Sequence, residues 1–155
     1  MATLIEQVRK ILQIRYPSYH DLPNGERVLL AMSVLANNIN VAEEGGHNKG
    51  ENVKEILAST YSMEGAAWCA ASIEFCFQVA GIKFGPNPRV AAAVLQWQDW
   101  GQKSKRIRLK AGRGRLCIRI KLVKNANGKQ KQERHIGIVS GIVASSGNVI
   151  SYEGN

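Results

Sequence analysis

Long hydrophobic runs are missing from this sequence of 155 residues. No stretch approaches the ~20 consecutive apolar residues that a membrane-spanning helix needs. The N-terminus also lacks a basic stretch leading into an apolar core, and residues 4–12 mix charged with apolar side chains instead. We therefore predict a chain without a membrane span that is made in the cytoplasm without a signal peptide. Its length and its 45% hydrophobic content are typical of one globular domain with a substantial core.

Cysteine is scarce, with three residues and no Cys-x-x-Cys pair. An odd number without close pairs argues against a disulfide framework and against structural zinc. The three histidines are scattered and belong to no metal-binding motif, so we expect no metal and no cofactor. Cys76 lies between Phe75 and Phe77, and Cys117 also has apolar neighbours, which predicts buried thiols at both positions.

Acidic and aromatic residues are almost absent from residues 103–134, which we call the basic segment. It holds 13 of the 21 Lys and Arg residues, a single acid (Glu133) and no aromatic residue. Such a surplus attracts polyanions, among them the anionic polymers of a bacterial wall. Because aromatics are missing, the segment lacks the stacking platform typical of proteins that bind single-stranded nucleic acid. We therefore do not expect a nucleic-acid partner. The other interpretation of the segment is a solvated face of a β-hairpin.

Hydrophobic periodicity divides the chain into a helical part and a strand-rich part. The order predicts an α+β fold, with N-terminal helices followed by an antiparallel β-sheet, in one domain spanning residues 1–155. Residues 1–39 are a helical lead-in, and residues 40–155 are the core that carries the candidate site. The predicted helices are 3–15, 25–35, 52–59, 69–81 and 89–100, and the predicted strands are 106–109, 116–123, 135–143 and 149–153.

Residues with complementary chemistry are spread along this layout. Cys69 opens a predicted helix, whose N-terminal partial charge favours the thiolate and predicts a lowered thiol pKa. His135 opens a predicted strand, and Gly137 leaves space beside it. Glu153 and Asn155 project from the same side of the last strand, so either residue could orient the imidazole. The combination predicts a catalytic thiol with His135 as its general base.

Three further residues are candidates for contact with a substrate. Trp68 precedes the cysteine, His47 lies in a glycine-rich stretch, and Trp97 lies in the helix after the cysteine helix. A surface loop is the other interpretation of the stretch around His47, because glycines are also typical of exposed turns.

These segments together resemble the CHAP family, the cysteine- and histidine-dependent amidohydrolases/peptidases of the papain-like superfamily. The likeness covers residues 40–155, the catalytic core, and rests on the order of several short motifs. Arg115 departs from the family pattern, which commonly has an aspartate after the preceding glycine. The motifs are residues 43–50 before a short helix, Trp68-Cys69-Ala70-Ala71, Trp97-Gln98-Asp99-Trp100-Gly101, His135-Ile136-Gly137-Ile138-Val139 and Ile150-Ser151-Tyr152-Glu153-Gly154-Asn155.

The resemblance implies a papain-like fold in which Cys69 is the nucleophile, His135 the base, and Glu153 or Asn155 the third member, without a metal. The implied substrate is bacterial peptidoglycan, cut by an N-acetylmuramoyl-L-alanine amidase or by an endopeptidase. We expect a monomer that reaches the wall after release or secretion. Two other functions stay open: a non-catalytic polyanion- or wall-binding protein on the same scaffold, and a protein deamidase or transamidase.

Overall fold

The fold consists of helices followed by a small antiparallel sheet, which confirms the predicted α+β layout. The computed structural model describes residues 1–154. Among these residues, five α-helices precede a three-stranded sheet with the order β1-β2-β3. The helices are α1 Leu4–Arg15, α2 Asn24–Val34, α3 Glu51–Ala58, α4 Cys69–Val79 and α5 Val94–Lys103, and the strands are β1 Leu116–Lys124, β2 Gln130–Ile142 and β3 Val149–Glu153. None of the helices in the described residues is both long and apolar enough to cross a bilayer.

The first helix shows how local sequence sets the core. Thr3 and Glu6 form a capping box: the Glu6 N–H donates to the Thr3 hydroxyl, and the Thr3 N–H donates to the Glu6 carboxylate at 2.8 Å. Leu4, Val8 and Leu12 recur at every fourth position and are buried. This apolar stripe packs α1 against α2 and α4.

Helix α4 lies at the centre of the molecule. It contacts α2, α3 and β2, and all residues from Cys69 to Phe77 are buried. A helix that is enclosed on all sides has no solvent face, so its sequence lacks the usual polar stripe. The N-terminus of α4, and Cys69 with it, therefore lies inside the fold.

Strand β2 is central in the sheet and separates two environments. Because side chains alternate along a strand, Ile136 and Ile138 enter the core while His135 and Gly137 lie on the opposite face. The strand begins at Gln130, so His135 lies within it, which corrects the prediction of a strand start. In the hairpin with β1 the ladder includes residues 130–134, which precede the predicted strand.

The segment before β1 differs from its prediction as a strand at residues 106–109. The N–H of Arg106 donates to the Gly101 carbonyl at 2.8 Å and closes the last turn of α5. The Arg106 N–H therefore pairs with a free carbonyl at the end of the helix and not with a neighbouring strand.

The helix predicted for residues 89–100 also differs from the structure. It begins later, at Val94, because Asn87 organises a turn in which its carbonyl accepts from Val90 at 2.9 Å and its side chain accepts from Arg89 at 3.0 Å. The helix then continues beyond Gly101, a residue whose backbone remains helical there.

Two contacts attach residues 113 and 114, which precede β1, to helix α2. A Cβ atom added to Gly25 would lie 2.4 Å from the carbonyl oxygen of Gly114, so the two backbones touch. Arg113 donates to both carboxylate oxygens of Glu26, at 2.7 and 3.1 Å. The chain between α5 and β1 is thus fixed at its C-terminal end.

A π-helical turn, Leu35–Ile39, extends α2 toward the sheet. Its Asn37 side chain donates to the Tyr152 hydroxyl of β3 at 3.0 Å. This bond connects the helical layer with the strand that carries Glu153.

Candidate active site

Cys69 is the first residue of α4, with Trp68 as the N-cap residue. Its side chain is only 5% exposed. The thiol lies near the backbone N–H groups of Ile136, Ala70 and Cys69 itself, each of which lowers its pKa. Ile136 follows His135 directly in β2, so the structure places the thiol beside the part of the strand that carries His135.

The net effect on the thiol is the reverse of the prediction. Burial raises the pKa of Cys69 above its ordinary value, and this effect outweighs the nearby N–H groups. The negative charge of Glu153 also raises the pKa of this thiol. The expectation of a lowered pKa is therefore corrected: the helix N-terminus is present, but desolvation is the larger effect.

His135 and Glu153 meet across strands β2 and β3. The Nε2 atom of His135 lies 2.8 Å from Oε2 of Glu153, and both side chains are about one quarter exposed, at 25% and 22%. The buried Nε2 atom makes no well-aligned hydrogen bond. The contact therefore places a carboxylate oxygen against one imidazole nitrogen and leaves Nδ1 for another partner.

Gly137 makes this contact possible. It is the register partner of Glu153, and a Cβ atom at position 137 would lie 2.6 Å from the Glu153 Cγ atom. The carboxylate side chain therefore crosses the space above the glycine to reach His135. The sequence predicted an open position at Gly137, and the structure fills that space with Glu153.

Two residues that the sequence analysis did not identify hold the same carboxylate. Arg119, the register partner of His135 on β1, donates to Oε2 of Glu153 at 2.6 Å. Ser151 donates to the other oxygen, Oε1, at 2.7 Å. Arg119 belongs to the basic segment, so this segment reaches the candidate site. Period-two spacing from Glu153 back to Ser151 could have identified the serine, but the arginine requires the strand register.

Gly154, the residue after Glu153, lies where no larger side chain would fit. A Cβ atom there would lie 2.3 Å from the Ser72 hydroxyl oxygen and 3.1 Å from the Trp68 ring. Ser72 in turn donates to the Cys69 carbonyl at 2.7 Å. The end of β3 therefore packs directly on the first turn of the cysteine helix.

Trp68 and His47 are joined through Glu43, a third residue that the sequence analysis did not single out as a site residue. The Trp68 indole N–H donates to Oε1 of Glu43 at 3.1 Å, and Nδ1 of His47 lies 3.5 Å from Oε2. The bond from Trp68 is the main reason that the pKa of Glu43 is lowered. Trp68 is buried, so its location favours a structural role over the predicted contact with substrate. His47 is 79% exposed.

Trp97, the third candidate for contact with a substrate, lies away from these residues. It is buried, its indole N–H donates to the Ala91 carbonyl at 2.8 Å, and its ring packs edge-on against Phe77. Phe77 lies two turns further along α4 than Cys69. Trp97 thus belongs to an aromatic cluster at the opposite end of that helix.

The remaining predicted residues divide into three cases. Cys76 is fully buried, as predicted. Cys117 is only partly buried and lies opposite Gly137 on the face that carries His135, which corrects its prediction as a core thiol. Asn155, the alternative third member, lies outside the described residues. Within residues 1–154, no group of three or more potential ligands is placed to hold a metal ion.

No protein-family model, no curated protein and no solved structure matches this chain. The function must therefore be inferred from the site itself.

Proposed function

We propose that this chain is a cysteine amidohydrolase that cleaves an amide bond of bacterial peptidoglycan. Cys69 is the nucleophile, His135 the general base and Glu153 the partner of His135. The observation that carries this proposal is the 2.8 Å contact between Nε2 of His135 and Oε2 of Glu153. The backbone N–H of Ile136, the residue after His135, lies beside the Cys69 thiol. A thiol, an imidazole and an orienting carboxylate are the groups that covalent amide hydrolysis requires.

The reaction proceeds through an acyl-enzyme. His135 removes the thiol proton as Sγ of Cys69 attacks the amide carbon, and a tetrahedral oxyanion forms. Backbone N–H groups at the start of α4 support the negative oxygen. The C–N bond then breaks, the leaving amine takes the proton from His135, and a thioester remains on Cys69. Water, activated by the same imidazole, attacks the thioester carbon, the C–S bond breaks, and a carboxylic acid leaves as the Cys69 thiol is restored.

Glu153 orients His135 in this scheme. With Nε2 facing the carboxylate, Nδ1 is the nitrogen that exchanges a proton with the thiol. Because burial raises the pKa of Cys69, the resting state is a neutral thiol, and His135 acts as a base during attack. A CHAP-like, papain-related scaffold is part of the proposal and rests on the order of the sequence motifs.

A test combines digestion with a matched cysteine variant. Purified peptidoglycan is incubated with the wild type, Cys69→Ser and Cys117→Ser, and the products are identified by mass spectrometry. We expect new amine termini with the wild type and Cys117→Ser, and none with Cys69→Ser. Products formed equally by all three proteins would refute the proposal. The position of the new terminus distinguishes an amidase from an endopeptidase.

One observation favours a second candidate, a non-catalytic wall-binding protein. Cys69 is nearly inaccessible, with its pKa raised, while many basic side chains of residues 103–134 are exposed. Retention on insoluble walls without any release of soluble products, in a sample that unfolds cooperatively, would support this candidate.

A further inference from the structure

A wide groove lies apart from the candidate active site. It has a volume of about 780 Å³ and lies between α5, the chain at residues 106–115 and strand β1. Its lining includes the aromatic rings of Phe84 and Trp100, which stack with their centroids 6.0 Å apart. Neither Cys69, His135 nor Glu153 lines it. The groove is therefore separate from the three residues assigned to the proposed reaction.

The groove carries apolar side chains that the fold leaves exposed. Ile107 and Ile120 line it and are nearly half exposed, and Leu109, also in its lining, is fully exposed. Leu122, on the same face of β1, continues the apolar row beyond the groove and is 61% exposed. From residue 116 to residue 122 the strand extends by roughly 20 Å. Contiguous exposed apolar surface of this kind marks interaction sites.

The charged residues of the groove all have one sign. Its lining contains four basic residues and no aspartate or glutamate. Among residues 1–154, none of the four forms a salt bridge, whereas Arg113 and Arg119 in the same segment do. Arg106 instead lies over the rings of Phe84 and Trp100, at 5.0 and 5.5 Å from their centroids. The four basic residues are Arg106, Arg108, Lys110 and Arg115.

We propose that this groove docks an acidic amphipathic helix of a partner protein. The apolar stripe of the helix would cover the exposed row on β1, and its carboxylates would pair with the four unneutralised bases. Wall polymers are a poorer match because they offer no apolar stripe, and a flat bilayer cannot reach the floor of a concave site. A helix of about 14 residues spans the roughly 20 Å of the row. This inference is independent of the proposed hydrolase activity.

The test uses the full chain and two synthetic helices of about 14 residues. Both peptides carry the same leucine stripe, and their polar positions are glutamate in one and lysine in the other. Fluorescence anisotropy of the labelled peptides measures affinity. We expect saturable binding of the glutamate peptide, about tenfold tighter than the lysine peptide and weakened by added salt.

Matched variants locate the binding surface. The double variant Ile120→Asn with Leu122→Asn should lower the affinity for the glutamate peptide by about tenfold. The control pair, Ile142→Asn with Ile150→Asn, changes apolar residues of similar exposure away from the groove and should have little effect. If the first pair prevents folding, as judged by thermal unfolding, charge reversal provides a second test. Arg108→Glu with Lys110→Glu should then weaken binding, and Lys129→Glu with Lys131→Glu at the hairpin tip should not.

Three results would overturn the proposal. One is equal affinity for the two peptides, and another is an equal effect of groove and control variants. The third is binding to phosphatidylglycerol vesicles, lost in the groove variants, without binding to the glutamate peptide. That result would assign the groove to a membrane surface instead of a protein.

Discussion

Arg119 and His135 face each other across β1 and β2, and both approach the same carboxylate oxygen of Glu153, at 2.6 and 2.8 Å. The guanidinium donates to this oxygen, so it shares with the imidazole the acceptor that faces Nε2. Ser151 holds the other oxygen and keeps the carboxylate in place. Arg119 is thus a candidate positioning residue that acts on His135 through Glu153.

The first prediction concerns Arg119→Ala. Removing the guanidinium leaves Oε2 of Glu153 to His135, so the share of the Nε2–H tautomer should rise. Nitrogen-15 NMR of the imidazole measures this share directly. Because Arg119 is 68% exposed, the free energy of unfolding should change by less than about 1 kcal/mol. Lys121→Ala, which alters a base on the same strand opposite Glu133, is the control. An unchanged tautomer ratio would show that Arg119 does not influence the imidazole.

The second prediction concerns Gly137→Ala. The added methyl group would lie 2.6 Å from Glu153 Cγ and 2.7 Å from the Tyr152 carbonyl oxygen, so the carboxylate and the adjoining part of β3 must move relative to His135. We expect turnover on peptidoglycan to fall about 100-fold, as for other displacements of catalytic groups by about 1 Å. Gly141→Ala on the same strand adds a methyl group with no neighbour within 4 Å and is the matched control. Equal turnover in the two variants would contradict the role assigned to the Glu153 contact.

The third prediction concerns the ionisation of Cys69. Burial raises the pKa of this thiol above its ordinary value of 9.0, so no thiolate should be present near neutral pH. The measurement is the thiolate absorbance near 240 nm as a function of pH, taken as the difference between the wild type and Cys69→Ser. A thiolate already formed at about pH 6 would contradict this prediction. It would mean that a nearby imidazolium lowers the pKa of Cys69 by more than burial raises it, so that a thiolate–imidazolium pair exists before substrate binds.

The fourth prediction concerns Glu74, a buried carboxylate of α4. Burial raises its pKa above 4.5, although Gln78 donates to it at 3.0 Å and partly offsets the shift. Folding therefore favours the protonated form, and this stabilisation is present below pH 4.5 and lost as the pH rises through the folded-state pKa. Glu74→Gln should raise the melting temperature near pH 7, by about 2–4 °C per kcal/mol gained, with little gain below pH 4.5. Glu44→Gln alters an exposed carboxylate and is the control. A loss of stability at neutral pH would contradict this prediction.

Much of the fold was predictable because local signals agree with the packing. The capping box of α1, the buried spacing in α1 and the apolar length of α4 each leave a pattern in the sequence. The absence of a strand at residues 106–109 was not predictable, since the bond from the Arg106 N–H to the Gly101 carbonyl is a backbone contact. The late start of α5 likewise depends on the turn around Asn87.

The candidate site was predictable in its residue types and less so in its environment. Cys69, His135 and Glu153 were identified from motif order, and the latter two are in contact. Desolvation of Cys69 was missed because it depends on how completely α4 is enclosed. Arg119 was missed because its role follows from the strand register. Sequence order also does not show that Trp97 packs against Phe77, far along α4 from Cys69.

The most direct test of the proposed function is to trap the acyl-enzyme. Wild-type protein is mixed with soluble muropeptides, quenched in acid and digested, and the peptide that contains Cys69 and Cys76 is fragmented in a mass spectrometer. We expect a thioester adduct on Cys69, with a mass that matches the acyl half of the cleaved substrate, and no adduct on Cys76 or Cys117. Substrate cleavage that leaves Cys69 unmodified and continues in Cys69→Ser would contradict the proposal.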